Sequence, residues 1–407
     1  MKTVVQINSV VNKGSTGKIC QGIGSQAQAN GWDTYIVFGR KSNSTDLKTY
    51  EINSTFEFIQ HLGASFLFDA HGRASKNSTL KLCNWLDQIK PEVVHLHNIH
   101  GYYLNVPTIV SYLREKKIPV VWTLHDCWSF TGHCSYYSDI NCEKWMTECH
   151  KCPKTKNYPK SLFCDNSTNN YLWKKQLFSS WEELEIVTVS KWLEHEVRKG
   201  FLKKEKIRTI YNGVDKSVFH PSHDVTSINE KFDLGQKFVA LAAATSWSKA
   251  KGLGDYRKLA NLLGDNEVIV LIGLDSKTIK DLPKCIIGLG RTENQTELAD
   301  WYTRANVVLN LSTQETFGMT TAEALACGTP VIAYNATASP ELISEKVGYI
   351  REPHDIEGVY QAIQETKQGK RDDLESNCVS HASLNFDQDT QYQKYLSLYK
   401  SLLDDLK

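Results

Sequence analysis

The chain has 407 residues, 41% hydrophobic and 23% charged, an ordinary globular make-up too long for one core, so two domains of about 200 residues each are expected. Lysine and arginine number 47 against 46 acids, which excludes a global field for nucleic acid and leaves any anion binding to local groups. MKTVVQINSV is too short an apolar run for a signal peptide and no run reaches the ~20 residues that span a bilayer, so a cytoplasmic protein is expected, its 11 cysteines thiols, metal ligands or small buried residues.

Short β-rich runs alternate with helical stretches throughout, which predicts an α/β chain of parallel sheets with crossover helices. Thr3 to Asn8 reads as a strand, Thr16 to Asn30 as a helix and Asp33 to Phe38 as a strand. The connection VVNKGSTGKI has the Gly-Lys pair of a phosphate loop, but Asn12 stands where the leading glycine belongs and Ile19 where a magnesium-binding serine or threonine belongs. Gly14 and Gly17 still lead to a helix N-terminus, and suit either the close approach of a ligand or a tight turn.

The stretch Thr55 to Asp69, TFEFIQHLGASFLFD, is apolar and aromatic, as a core or cleft helix would be; a membrane-touching surface is the alternative. Glu92 to His97 reads as a buried strand on which His95 and His97 point the same way, a geometry open to a metal pair, although no third ligand stands at suitable spacing. The strand Ile118 to Leu124 runs into HDCWSFTGHC, so His125 and Asp126 fall at the carboxyl end of a parallel strand, where open α/β sheets bind ligands. A metal-dependent phosphohydrolase would need further His and Asp ligands on helices, and none is found.

CSYYSDINCEKWMTECHKCP then departs from the strand-helix alternation, with Cys134, Cys142, Cys149 and Cys152 as a candidate structural zinc site. His133, His150 and Cys164 are substitutes for a ligand, and free thiols packing a loop or redox chemistry are the alternatives. After a helix around Tyr171 to Leu184 and a strand Glu185 to Ser190 comes a basic run, Arg198, Lys199, Lys203, Lys204, Lys206 and Arg208. It fits a solvated face or docking on an anionic membrane surface.

Past the linker at His220-Pro221, a strand Phe238 to Thr245 leads into SWSKAKG, which carries Lys251 before a glycine. Strands Glu267 to Ile272 and Ile286 to Gly290 and a helix Gln295 to Ala305 precede NLSTQETFGMTTAEALACGTPVIA, Asn310 to Ala333. That stretch predicts a strand Val307 to Leu311, a polar turn, a helix opening near Thr316 and a strand from Pro330. Glu315 ahead of the helix and Glu323 two turns in can both face the cavity at the strand ends. Phe317, Gly318 and Met319 offer backbone N–H groups at a helix N-terminus, where an anion is favoured. Closing helices run from Asp355 to Lys407.

The motif from Glu315 to Ala333, two acids eight positions apart with Phe-Gly after the first and Ala-Cys-Gly-Thr-Pro-Val-Ile-Ala after the second, resembles the signature of the retaining glycosyltransferases of family 4, of the bacterial polysaccharide type. The resemblance extends to Asn212 to Asp215 and Phe219 at the hinge and to Lys251. It implies the GT-B fold: two Rossmann-like domains facing each other across a cleft, the C-terminal helix crossing back to the first. The implied domains are residues 1–210, with the Cys-rich insertion at about 127–165, then 211–385, then a closing helix 386–407.

It further implies transfer of a hexose from a nucleotide-diphosphate sugar to a glycan or lipid-linked acceptor, without catalytic metal; the charge balance leaves no nucleic acid as partner, and docking by the basic run would give peripheral contact at the inner membrane surface. Lys251 would reach the donor diphosphate, Glu315 would lie near the donor sugar and Glu323 would hold the ribose hydroxyls. His125 would position and polarise the reacting groups without covalent attack, and the Gly14–Gly17 loop would face the cleft. Ser246 replaces the arginine that the family carries five residues before the lysine, with Lys249 nearby to compensate. Ala338 to Glu341 occupy the family's second phosphate-facing turn. A GT-B sugar-nucleotide epimerase or phosphorylase and a non-catalytic nucleotide-sugar-binding scaffold are the rival readings.

Overall fold

The computed structural model describes residues 2–52, 54–222, 224–369 and 371–404, the side chains of 371 and 372 excepted. The chain divides into two compact units, Met1–Ile210 with Asp389–Lys407, and Tyr211–Gln388.

In the first unit, strands β1 (Thr3–Ile7), β2 (Asp33–Phe38), β3 (Lys48–Glu51), β4 (Val93–Leu96), β5 (Val120–Leu124), β6 (Leu184–Thr188) and β7 (Lys206–Thr209) form one sheet in the order β3-β2-β1-β4-β5-β6-β7. Every pairing is parallel. The inner strands β4, β5 and β6 are buried from end to end because crossover helices cover both faces, which is why they read as unbroken apolar runs. The direction of winding reverses between β1 and β4, the switch point at which such sheets leave a ligand crevice. The last helix, Gln388–Asp404, packs Tyr392, Tyr395 and Tyr399 onto Val4, Val93, Val121 and Val187 of this sheet.

In the second unit, β8 (Phe238–Ala243), β9 (Glu267–Ile272), β10 (Ile286–Leu289), β11 (Val307–Asn310), β12 (Val331–Tyr334) and β13 (Gly348–Arg351) repeat that plan in the order β10-β9-β8-β11-β12-β13, again all parallel. The reversal now lies between β8 and β11. Ala240, Ile269, Leu309 and Ile332 build the core beneath Leu259 and Ile363. The two Rossmann-like units bear out the expected fold class.

One apolar stretch departs from expectation. Thr55–Phe68 is a helix, but it buries only His61 and Ser65, while Phe56, Ile59, Leu67 and Phe68 face outward. Its polar side is anchored instead: His61 Nδ1 lies 2.9 Å from Ser75 Oγ, and Nε2 accepts from the Gly72 N–H. Among the described residues no helix is long and apolar enough to cross a membrane.

Candidate active site

In the second unit, the loops after β8 and β11 flank the switch point at the carboxyl edge of the sheet. The β8 loop makes one 3-10 turn, Lys249–Lys251, and then Gly252 at φ 76°. A Cβ at Gly252 would lie 2.4 Å from the Leu311 carbonyl oxygen, so only glycine lets the two loops touch. The Thr313 N–H donates to the Ala250 carbonyl at 2.9 Å and fixes the contact. This delivers Lys251 to Glu315, Nζ to Oε1 2.5 Å.

Glu315 is held from its other side by the second turn. Its N–H donates to Thr337 Oγ1 at 2.8 Å and its carbonyl accepts from the Ala338 N–H at 3.2 Å. The helix expected from Thr316 starts three residues later, at Met319. Phe317 is first drawn into a buried aromatic group with Tyr211 and Phe386, and Gly318 turns the chain at φ 105°, a conformation side chains resist. The first N–H groups of Met319–Ala326 have no acceptor within the helix, and their dipole favours an anion there. Glu323 stands one turn further on, its Oε2 accepting from the Tyr302 hydroxyl at 3.2 Å. Lys251 and Glu315 are thus in contact, with Phe317, Gly318 and Met319 following directly in the chain.

Arg291 was not legible as a site residue in the sequence. It lies just past β10, and its Nη2 donates to the Thr245 carbonyl at 2.9 Å, one residue from Ser246. The order β10-β9-β8 brings an arginine to the loop that lacks one.

In the first unit, three neighbouring strands, β1, β4 and β5, carry a hydrogen-bonded row. Gln6 Nε2 donates to the Cys20 carbonyl at 2.9 Å, which turns its Oε1 toward His97 Nε2 at 3.0 Å. His97 must donate there, and burial keeps its pKa well below the ordinary histidine value, so its Nδ1 holds a lone pair. That lone pair accepts from His125 Nε2–H at 3.1 Å. Burial moves the His125 pKa down to about 4, with Asp126 opposing and His100 adding to the shift. His125 is therefore a neutral imidazole near pH 7, its proton on Nε2 and its other lone pair on Nδ1.

Asp126 Oδ1 accepts from the Trp128 N–H at 2.9 Å, and Oδ2 lies 2.8 Å from His100 Nε2, close but out of hydrogen-bond alignment. Burial opposes ionisation of Asp126, yet His100 and the Trp128 N–H outweigh it and hold the pKa below the usual carboxyl value. His97, His100, His125, Asp126 and Trp128 line a narrow depression. A larger cavity, about 430 Å³, lies in the second unit at the opposite, amino-terminal edge of the sheet, against Phe238, Asn266, Asn306 and Pro330.

The metal pair considered at His95 and His97 does not form. His95 Nδ1 lies 2.6 Å from the Tyr399 hydroxyl and Nε2 2.8 Å from Thr123 Oγ1, so both nitrogens are engaged in the core. Gly14 opens the helix Gly14–Ala29 at φ 63° and is exposed, whereas Gly17 is buried, a Cβ there coming within 3.1 Å of Val10. Gly17 therefore lets the helix pack on its own loop.

The zinc site expected at Cys134, Cys142, Cys149 and Cys152 is not assembled. Among the described residues no three His, Cys, Asp or Glu side chains are grouped as a metal ion requires. Cys149 Sγ accepts the Gly132 N–H at 3.2 Å. Cys134 and Cys152 act on each other, the Cys134 thiol shifted well up and the Cys152 thiol down from the ordinary cysteine value. The insertion is held instead by Phe130, Tyr137 and Trp145 packed ring to ring, by the Tyr137 hydroxyl donating to Glu196 at 2.7 Å, and by buried Lys174 over the Trp128 ring. In the basic run, Arg198 pairs with Glu194, Lys199 with Glu196 and Arg208 with Glu185, so half of its cations face acids of the protein itself.

Two family models match the chain, one described as Glycosyltransferase Family 4 over residues 20–218 and one as Glycosyl transferases group 1 over residues 239–368. Residues of the chain are 26% identical to WcaC of Escherichia coli (strain K12), a glycosyl transferase named for colanic acid biosynthesis, over 63% of this chain and 63% of that one. The chain spans under two thirds of the length of the curated relatives it matches first. Among solved structures, sucrose-phosphate synthase from Thermosynechococcus elongatus superposes with TM-score 0.72 at 15% identity, all of both chains covered. Anabaena Alr3699/HepE, solved with UDP-glucose, superposes with TM-score 0.68 at 15% identity over 98% of this chain and 100% of that one.

Proposed function

Because the chain belongs to glycosyltransferase family 4, we propose that it moves a hexose from a nucleotide-diphosphate sugar to a glycan or lipid-linked acceptor, with retention, in bacterial surface polysaccharide synthesis. The observation that carries this reading is the meeting of Lys251 and Glu315 beside the start of Met319–Ala326, at the switch point of the second sheet. A cation and helix-start N–H groups suit a departing diphosphate and can stabilise its charge in place of a metal ion. A carboxylate beside them suits sugar hydroxyls, and Glu323 further along suits the ribose. Arg291 supplies the second cation where Ser246 cannot.

His125 acts on the reacting groups as a neutral imidazole whose tautomer Gln6 and His97 set. Peripheral contact with a membrane surface, where a lipid-linked acceptor would reside, is part of the same reading. The test is a screen of nucleotide sugars, beginning with UDP-glucose, which the Anabaena neighbour binds. Release of nucleoside diphosphate that quickens with acceptor supports transfer. Conversion of the donor without acceptor would make the protein an epimerase, and binding without turnover a scaffold.

A further inference from the structure

The cavity of about 430 Å³ at the amino-terminal edge of the second sheet has a size common among small-molecule sites, and the transfer chemistry makes no use of it. The six residues of β8, about 20 Å of strand, separate Phe238 in its wall from the loop that carries Lys251. Three carboxamides line it, Gln236, Asn266 and Asn306. Asn306 is pinned in place: its Oδ1 accepts the Val239 N–H at 2.9 Å, and its own N–H donates to the Val239 carbonyl at 2.9 Å. That leaves the donors of Nδ2 unspent, and among the described residues the amides of Gln236 and Asn266 have no side-chain partner either.

Charge does not select the ligand. Each lysine of the wall already has an acid, Lys237 Nζ lying 3.6 Å from Asp233 and Lys367 Nζ 2.5 Å from Glu267. The helices Gln295–Arg304, Met319–Ala326 and Ile356–Gln368 all end at this edge, and last-turn carbonyls without donors inside a helix carry partial negative charge. An anion is therefore disfavoured, and a cation meets no carboxylate among the lining residues. What the wall offers is amide donors and acceptors, carbonyl oxygens, and the apolar surfaces of Phe238 and Pro330. A sugar ring matches that mixture, since each hydroxyl both donates and accepts while the ring carbons present an apolar face.

We propose that this cavity is a saccharide-binding site apart from the transfer site, and that it holds a neutral stretch of glycan. The inference rests on the transferase reading for its purpose, the retention of glycan already built, but the binding needs no donor and is measured without one.

The full chain is titrated, without nucleotide sugar, with the methyl glycosides of glucose, galactose and mannose and with maltotetraose and cellotetraose, followed by saturation-transfer NMR. Binding of at least one saccharide is expected, with a dissociation constant of about 1 mM. Gln236→Ala/Asn266→Ala should weaken it about tenfold or more. Asn306→Asp, which keeps the oxygen that Val239 needs and removes the amide donors, should weaken it as well, with the thermal midpoint unchanged. A tetrasaccharide that binds more tightly than every monosaccharide supports a glycan segment as occupant. Equal affinity supports the site but makes its ligand a free sugar. Binding of none of these saccharides, binding that the variants leave unaltered, or tighter binding of glucose 1-phosphate than of methyl glucoside that Lys237→Gln abolishes would overturn the proposal. Failure to bind any nucleotide sugar would refute the transferase reading and leave the saccharide result standing.

Discussion

Lys251 Nζ lies 2.5 Å from Glu315 Oε1, so the cation suited to a diphosphate already holds a carboxylate of the same unit. The pair is partly open to solvent, and such pairs contribute at most about 1 kcal/mol. Glu315→Gln should therefore free Lys251 and tighten nucleoside diphosphate binding by a few-fold at most, while turnover of the intact donor falls. Calorimetry with nucleoside diphosphate alone checks the first half; weaker binding would mean that Glu315 orients the lysine rather than competing for it.

Glu323 gives a second test. Its Oε2 takes the Tyr302 hydroxyl, which orients the carboxylate. Glu323→Gln should leave the thermal midpoint unchanged and weaken donor binding by about ten- to a hundredfold, the equivalent of one charged hydrogen bond. Unaltered donor affinity would remove Glu323 from the site.

Arg291→Ala should lower donor affinity although its guanidinium is far from Lys251 in the chain. A loss near tenfold is expected, about 1.4 kcal/mol, with a weaker dependence of binding on salt than in the wild type. If affinity and salt dependence stay as they were, Ser246 marks a site with one cation fewer than the family pattern.

Five histidines of the first unit are buried with depressed pKa values: His61 and His125 to about 4, and His71, His95 and His97 well below the ordinary value, in each case chiefly through burial. The folded chain keeps them neutral while the unfolded chain protonates them near pH 6.5, so this contribution is present above about pH 6.5 and is lost as pH falls toward 4. Each adds up to about 1.4 kcal/mol of destabilisation per pH unit within that window. Denaturant midpoints at pH 7.5, 6 and 5 should fall progressively, and His61→Gln should flatten the decline. Constant stability down to pH 5 would contradict the neutral row.

The inner strands were legible because they are buried on both faces and so appear as apolar runs; Asp33–Phe38 and Glu267–Ile272 have the limits expected of them, whereas the edge strands Lys48–Glu51, Lys206–Thr209 and Gly348–Arg351 carry no such run and were not read. Lys251 and Glu315 were singled out by family resemblance and by the place of both loops at strand ends, but their contact was not expected. The orientation of Thr55–Phe68 did not follow, since an apolar helix looks the same whether its aromatic side meets protein or not. His61, with its bonds to Ser75 and Gly72, decided that. The cysteine spacing was equally silent about sulfur geometry, which depends on where Gly132 and the aromatic rings settle. Arg291 was hidden because only the strand order sets β10 near the β8 loop. The metal reading of His95 failed on partners 28 and 304 positions away, Thr123 and Tyr399.

The division of labour is tested most directly by comparing His125→Ala with Lys251→Ala in single-turnover kinetics and donor titration. His125 belongs to the first unit, whereas Lys251 and Glu315 belong to the second, where Lys251 is proposed to hold the donor diphosphate in ground and transition states alike. The account predicts that His125→Ala slows turnover of bound donor by about a hundredfold or more and changes donor affinity little, while Lys251→Ala damages both. Loss of donor binding in His125→Ala, with turnover of whatever donor still binds untouched, would contradict it.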